Sequence, residues 1–229
     1  MTEQQVTVDV VFERFPASIR GAVVIRGADP EPHQVRLVGA SVVESHAPGR
    51  SVSPVSVDSV IVDMAPHGEV LVPFDVSFTT LDPGWYSVIA EVAVDGTARA
   101  RGPEAGKRFV VPWPEGEVRR GEVKAGLDID VPGSAAVTID RIECRPDRAV
   151  VRWRHAPGEP AEFGDLRVLS GTRRLPVLES SHDPGTGSRT TVVHPVLRRY
   201  RRLVFEVDHR NSSGRPSPRG RGSASLDLP

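Results

Sequence analysis

Apolar residues recur at every second position through much of this chain. The segments 6–12, 70–78 and 86–94 each carry an apolar side chain at successive even positions. Successive side chains of a β-strand point to opposite faces, so a period of two predicts strands with one buried and one solvated face. The first half is predicted to hold seven strands, near 6–12, 22–25, 35–43, 57–64, 70–78, 86–94 and 107–111.

The second half continues the same pattern. Gly and Pro, with 21 residues each, interrupt the chain too often for long helices, and the whole chain is therefore expected to be all-β. The segment Pro112-Trp113-Pro114 cannot pair regularly in a sheet and marks a boundary, with Trp113 as an anchor against one domain. We predict a larger domain over 1–113, a linker over 114–121, a smaller domain over 122–208 and a flexible Arg/Gly/Ser/Pro-rich tail over 209–229.

The run Asp82-Pro83-Gly84-Trp85-Tyr86, followed by an alternating strand and Asp95-Gly96, is the most specific motif. It resembles the tyrosine corner of immunoglobulin-like and fibronectin-like bacterial β-sandwich modules. The resemblance implies two immunoglobulin-like sandwiches in tandem, with the ring of Tyr86 in the core and its hydroxyl bonded to nearby backbone. An arrestin-like pair of sandwiches, as in bacterial sporulation-control proteins, is the alternative, suggested by two similar domains, by Arg20-Gly21-x-Val23 and by Pro73-Phe74.

The net charge of −1 hides an asymmetry between the halves. Residues 1–115 carry 9 basic and 15 acidic residues, whereas residues 116–229 carry 20 and 15. Opposite signs favour docking or head-to-tail self-association of an acidic N-terminal and a basic C-terminal domain. Arginine binds carboxylates and phosphates in a bidentate manner, so the basic cluster of the second half is the candidate partner-binding site. Its residues are Arg198, Arg199, Tyr200, Arg201 and Arg202, and a solvated turn without a partner is the alternative interpretation of the same run.

No arrangement of residues typical of catalysis, metal binding or a cofactor is recognised. The seven histidines lack the spacing of metal ligands, and Ser180-Ser181-His182-Asp183 is contiguous, whereas the members of a catalytic triad converge from separate elements. The segment 185–189 is glycine-rich but lacks the lysine and the helix of a phosphate-binding loop. The pairs Asp128 with Asp130 and Glu206 with Asp208 each share a strand face, which favours solvation over acid–base chemistry.

These features favour a non-catalytic interaction, scaffold or accessory protein that binds another protein through sandwich edges, loops or the basic region. A single cysteine, Cys144, and an N-terminus without a secretory signal favour the cytoplasm, and no apolar run is long enough for a membrane span. A low aromatic content argues against nucleic acid. Two alternatives remain. One is an arrestin-like adaptor, and the other is an enzyme or carbohydrate-binding module that uses His46, His67 and Asp82.

The dominance of arginine over lysine favours a high-GC bacterial source, such as an actinobacterium.

Overall fold

A computed structural model describes residues 6–28, 30–46, 51–55, 60–96, 98–102, 107–132, 136–155, 163–183, 185–210 and 216–229. The described residues form antiparallel β-strands and one short 3₁₀ helix, Phe78–Thr80, and no α-helix occurs among them. The expected all-β class is therefore confirmed. The chain divides into two compact units, Met1–Val111 and Pro112–Pro229.

The first unit contains two antiparallel sheets that share one apolar core. One sheet has the strand order β1-β2-β6, and the other has the order β4-β3-β7-β8, with β5 beside β3 and β9 beside β7. Alternate residues of both sheets are buried in one cluster, which is a β-sandwich-like arrangement. The strands are β1 Val6–Arg14, β2 Ser18–Gly27, β3 His33–Glu44, β4 Ser51–Val55, β5 Ile61–Met64, β6 Glu69–Ser77, β7 Gly84–Val94, β8 Ala98–Gly102 and β9 Arg108–Val111.

The strand count of this unit differs from the prediction of seven. The single strand predicted near 57–64 corresponds to β5 alone, with β4 as a separate strand, and residues 56–59 lie outside the described part of the chain. Strand β8 was not predicted, because Ala-Arg-Ala-Arg-Gly carries too little apolar surface to show a clear alternation. It nevertheless pairs with β7 from Val94 to Ala90.

The second unit also has two antiparallel sheets around one core, with Trp153 and Phe205 fully buried. The strand orders are β10-β11-β12-β16-β15 and β14-β13-β17-β18. The indole Nε1 of Trp153 donates a hydrogen bond to the Thr191 hydroxyl at 3.0 Å. The strands are β10 Gly121–Ile129, β11 Val137–Cys144, β12 Ala149–His155, β13 Arg167–Ser170, β14 Arg173–Arg174, β15 Val177–Asp183, β16 Ser188–Val193, β17 Arg202–Arg210 and β18 Pro216–Asp227.

The prediction of a flexible tail is wrong for 216–227. This segment forms strand β18 and pairs with β17, with Leu203 opposite Leu226 and Phe205 opposite Ala224. Its composition lacks a long apolar run, but alternate small and apolar residues pack against the core, and Arg202 forms an ion pair with Asp227 across the strands. This strand is stabilised by pairing with β17, and such pairing between segments cannot be predicted from the composition of the segment.

The segment predicted as a linker, 114–121, also makes contacts inside the second unit. Val118 is 6% exposed and forms an isolated β-bridge with Leu197. Trp113 lies just before this segment and is half-buried, with its ring edge-on to the ring of His194 at 5.4 Å. The first compact unit accordingly ends at Val111, two residues before the predicted end of the first domain at 113.

Candidate functional site

The arginine cluster that the sequence predicts begins at a turn before strand β17. Val196 and Leu197 are buried, and the backbone N–H of Tyr200 donates to the carbonyl of Leu197 at 3.0 Å. The buried residues fix one end of the turn in the core. Arg198 and Arg199 stand at its corner, and both are exposed to solvent.

A second segment brings further arginines to the same place. The backbone N–H of Arg198 donates to the carbonyl of Glu117 at 2.7 Å, and the N–H of Arg119 donates to the carbonyl of Val196 at 2.8 Å. Backbone hydrogen bonds in this register hold the two segments side by side. They place Arg119 and Arg120 beside the turn, although about 80 residues of chain separate the two segments.

Four arginines from these two segments line one cleft, which we term the arginine cleft. Arg119, Arg120, Arg198, Arg201 and Pro229 line this cleft, which has a volume of about 320 Å³. The Nη1 atom of Arg119 donates to a main-chain oxygen of Pro229 at 2.6 Å. Among the described residues, no aspartate or glutamate side chain lines the cleft, so its charged side chains are all arginines.

Most of this positive charge is unpaired. Within the described part of the chain, Arg120, Arg198 and Arg201 form no ion pair, and the Nε atom of Arg119 is buried without a hydrogen-bond acceptor. Several other arginines of the same unit do pair with carboxylates. Those ion pairs join Arg145 and Arg152 to Glu143, Arg154 to Asp140, Arg148 to Asp147, and Arg167 and Arg221 to Asp208.

The five residues predicted as a partner-binding site have different surroundings. Arg198 and Arg201 line the arginine cleft. Arg202 instead binds Asp227, with Nε–Oδ1 and Nη2–Oδ2 distances of 2.6 and 3.2 Å. This hydrogen-bonded pair holds the pKa of Asp227 below its usual value and the pKa of Arg202 above its own. Arg199 lies over the ring of Tyr200, 5.9 Å from its centroid.

Sequence reasoning missed Arg119 and Arg120 as members of the site. The only signal was an Arg-Arg pair in a segment predicted to be a linker. Tyr200 is half-buried and packs against the core, so it is not the exposed stacking platform that binding of nucleic-acid bases would use.

The arginine side chains that line the cleft suit the binding of an anion and do not suit proton transfer. Guanidinium groups offer only hydrogen-bond donors and stay protonated at any physiological pH. A cleft lined by four arginines and one proline therefore favours an anionic group, and no residue of this described lining has a side chain that acts as a general base or a nucleophile at neutral pH.

The residues proposed for an enzyme or a carbohydrate module each have a local structural role. His46 lies 3.3 Å from a carboxylate oxygen of Glu44. His67 adopts a positive φ of 52° in the turn between β5 and β6. The carbonyl of Asp82 accepts a hydrogen bond from the Tyr86 hydroxyl at 2.8 Å. That contact confirms the hydrogen bond predicted for Tyr86, which is 3% exposed and has its pKa raised chiefly by burial.

The structure also describes the surroundings of the residues considered as a nucleophile or a catalytic triad. Burial raises the pKa of the Cys144 thiol, which disfavours the thiolate form that a nucleophile requires. In Ser180–Asp183, the Asp183 carboxylate accepts from the Gly185 N–H and the Thr186 hydroxyl and so stabilises a turn. Across the described ranges, no three His, Cys, Asp or Glu side chains converge as metal ligands. In the same ranges, no helix has the length and apolar character needed to cross a membrane.

Comparisons with known proteins give no family for the chain. No protein-family model matches the sequence, and no curated protein matches it. Among solved structures, the chain is similar to one titled "The crystal structure of the conserved domain protein from Bacillus anthracis". The identity is 8%, the alignment covers 100% of this chain and 89% of that chain, and the TM-score is 0.37.

Proposed function

We propose that this is a non-catalytic interaction protein that binds an acidic partner protein through the arginine cleft of its second unit. The observation that carries the proposal is that four arginines line one cleft and that, among the described residues, no aspartate or glutamate side chain lines it. Exposed ion pairs contribute little individually, so a binding site built on charge needs several cations acting together. A positive cleft also steers an acidic partner during encounter and raises the association rate.

The experiment compares two variants with the same change in net charge. The cleft variant carries Arg120→Gln, Arg198→Gln and Arg201→Gln, and it keeps Arg119, whose side chain holds a main-chain oxygen of Pro229. The probe is a short labelled peptide rich in glutamate, and binding is measured by fluorescence anisotropy. We expect the cleft variant to bind about tenfold more weakly than the unmodified protein, because three charge-assisted contacts are lost.

The control variant carries Lys124→Gln, Arg173→Gln and Arg174→Gln. These residues are exposed and lie outside the arginine cleft. Its affinity for the peptide should stay within about twofold of that of the unmodified protein, because long-range effects of net charge are screened by salt. Equal losses in the two variants would show that overall charge, and not the cleft, controls binding, and would refute the proposal.

We further propose that both units are immunoglobulin-like sandwiches and that residues 82–86 form a tyrosine corner. The paired sheets of each unit and the hydrogen bond from Tyr86 to Asp82 support this assignment. An arrestin-like pair of sandwiches acting as a regulatory adaptor is the alternative. The buried free thiol of Cys144 is compatible with the reducing cytoplasm as the proposed location.

The acidic partner can also be a second copy of the chain. The charge difference between the halves supports head-to-tail association of a basic second unit with an acidic first unit. Sedimentation analysis across protein and salt concentrations tests this form of the proposal. Self-association that weakens with salt and is lost in the cleft variant identifies a second copy as the partner. A monomer at all concentrations leaves a different acidic protein as the partner.

A further inference from the structure

We propose that the group entering the arginine cleft is a phosphoryl group, so that binding of the partner depends on phosphorylation. This inference rests on the proposed function and specifies the chemistry of the ligand. Four arginines line one cleft of about 320 Å³, and Arg120, Arg198 and Arg201 lack an ion-pair partner among the described residues.

The compactness of the cleft favours one multivalent anion over a row of carboxylates. A carboxylate has one negative charge and two oxygen atoms, which a single arginine saturates through a bidentate contact. A phosphoryl group on a side chain carries a charge of about −1.5 to −2 at neutral pH and three acceptor oxygens. It can therefore accept hydrogen bonds from several converging arginines at once and offset more of their mutual repulsion.

The backbone framework supports recognition of a small rigid group. Arg119 and Arg198 extend from two segments that are joined by backbone hydrogen bonds, at 2.7 and 2.8 Å. The Arg119 side chain is further held by its bond to Pro229, while its buried Nε keeps a donor without an acceptor. The Arg119 cation, held in this way, loses little conformational freedom on binding, which favours a ligand that reaches it.

The described lining of the cleft does not suit a nucleotide. Among the described residues no aromatic side chain lines the cleft, so a nucleotide base has no stacking partner from them. A phosphorylated side chain and free phosphate share the chemistry that the cleft offers. The experiment separates these two sources.

The test uses the full chain and titrations followed by NMR through the Nε–Hε signals of the arginines. The probes are a short Gly/Ala peptide with one central phosphoserine, the same peptide with glutamate or serine at that position, and inorganic phosphate. We expect the phosphoserine peptide to bind at least about tenfold more tightly than the glutamate peptide, and the serine peptide not to bind. The cleft variant should lose this preference and the control variant should retain it.

A pH series gives an independent readout. The second pKa of a phosphoryl group is about 6, so lowering the pH through that value converts the dianion to a monoanion. Binding of the phosphoserine peptide should weaken several-fold between about pH 7.5 and pH 5.5, whereas glutamate, with a pKa near 4.3, stays ionised. The arginines stay protonated throughout, and the described residues that line the cleft include no histidine.

The outcomes separate the two proposals. Tighter binding of the peptide than of inorganic phosphate identifies a phosphorylated protein as the source, and equal binding identifies free phosphate. Equal affinity for the phosphoserine and glutamate peptides, with both lost in the cleft variant, overturns the phosphoryl inference and leaves the proposed function standing. Affinities unchanged in the cleft variant overturn both.

Discussion

At the scale of single residues, Tyr86 shows what can be predicted from a local pattern. Its hydroxyl binds the carbonyl of Asp82, four residues earlier, so the whole interaction lies within one short motif. The arginine cleft, in contrast, is formed by residues from two segments that are distant in the sequence. Arg198 and Arg201 could be predicted as a cluster, but Arg119 and Arg120 join them only through hydrogen bonds between distant segments. A contact of that kind is not encoded in spacing along the chain.

The hydroxyl of Tyr86 provides a direct test at this scale. Tyr86→Phe keeps the ring, which packs 5.7 Å from that of Phe109, and removes one hydrogen bond. We expect the free energy of unfolding to fall by about 1 kcal/mol, measured by urea denaturation. The control is Tyr200→Phe, at a half-buried tyrosine, which should be nearly neutral. A neutral Tyr86→Phe would contradict the structural role of the corner.

At the scale of elements, composition predicts a strand with a clear apolar alternation, but it does not predict a strand that is ordered by pairing with a neighbouring strand. The alternating strands β6 and β7 were predicted because half of their side chains are large and apolar. Strand β18 was not predicted, because Pro, Gly, Arg and Ser dominate its sequence. Its residues Ala224 and Leu226 nevertheless pack on the core of the second unit. Its order comes from pairing with β17.

The close approach of strands β1 and β8 can be tested with a glycine. At Gly102, an added Cβ would clash with the carbonyl oxygen of Val8, whereas at Gly39 it would meet nothing within 4 Å. Gly102→Ala should therefore destabilise the first unit by about 1–3 kcal/mol, because backbone must move. Gly39→Ala should change stability by no more than about 0.5 kcal/mol. Similar effects in thermal or urea denaturation would contradict the described approach of the two strands.

The ion pair that joins β17 to β18 predicts a dependence on pH. The hydrogen bond from Arg202 lowers the pKa of Asp227, so this carboxylate stabilises the folded state above its unfolded pKa. That contribution is lost as the pH falls through the lowered, folded pKa. Stability of the unmodified protein and of Asp227→Asn should thus differ at neutral pH and converge in acid, when followed by urea denaturation. A difference that persists below about pH 2 would contradict this origin.

At the scale of the whole molecule, each compact unit has its own pair of sheets and its own core. Fragments 1–111 and 112–229 should each unfold cooperatively on their own. A fragment starting at residue 122 lacks Arg119 and Arg120 and should bind the glutamate-rich peptide more weakly than 112–229. Circular dichroism melts and peptide titrations check both expectations. If neither 1–111 nor 112–229 folds alone, the division into units is wrong.

The central claim is that charge in the arginine cleft binds an acidic partner, and its most direct test is the salt dependence of binding. The affinity for the glutamate-rich peptide is measured across a salt series for the unmodified protein and for the cleft variant. Because the screening length falls from about 10 Å at 0.1 M to about 3 Å at 1 M salt, the unmodified protein should bind progressively more weakly. The cleft variant should bind weakly throughout, with a shallower slope. Salt-independent binding that is unchanged in the cleft variant would contradict the account and point to the sheet edges or the loops.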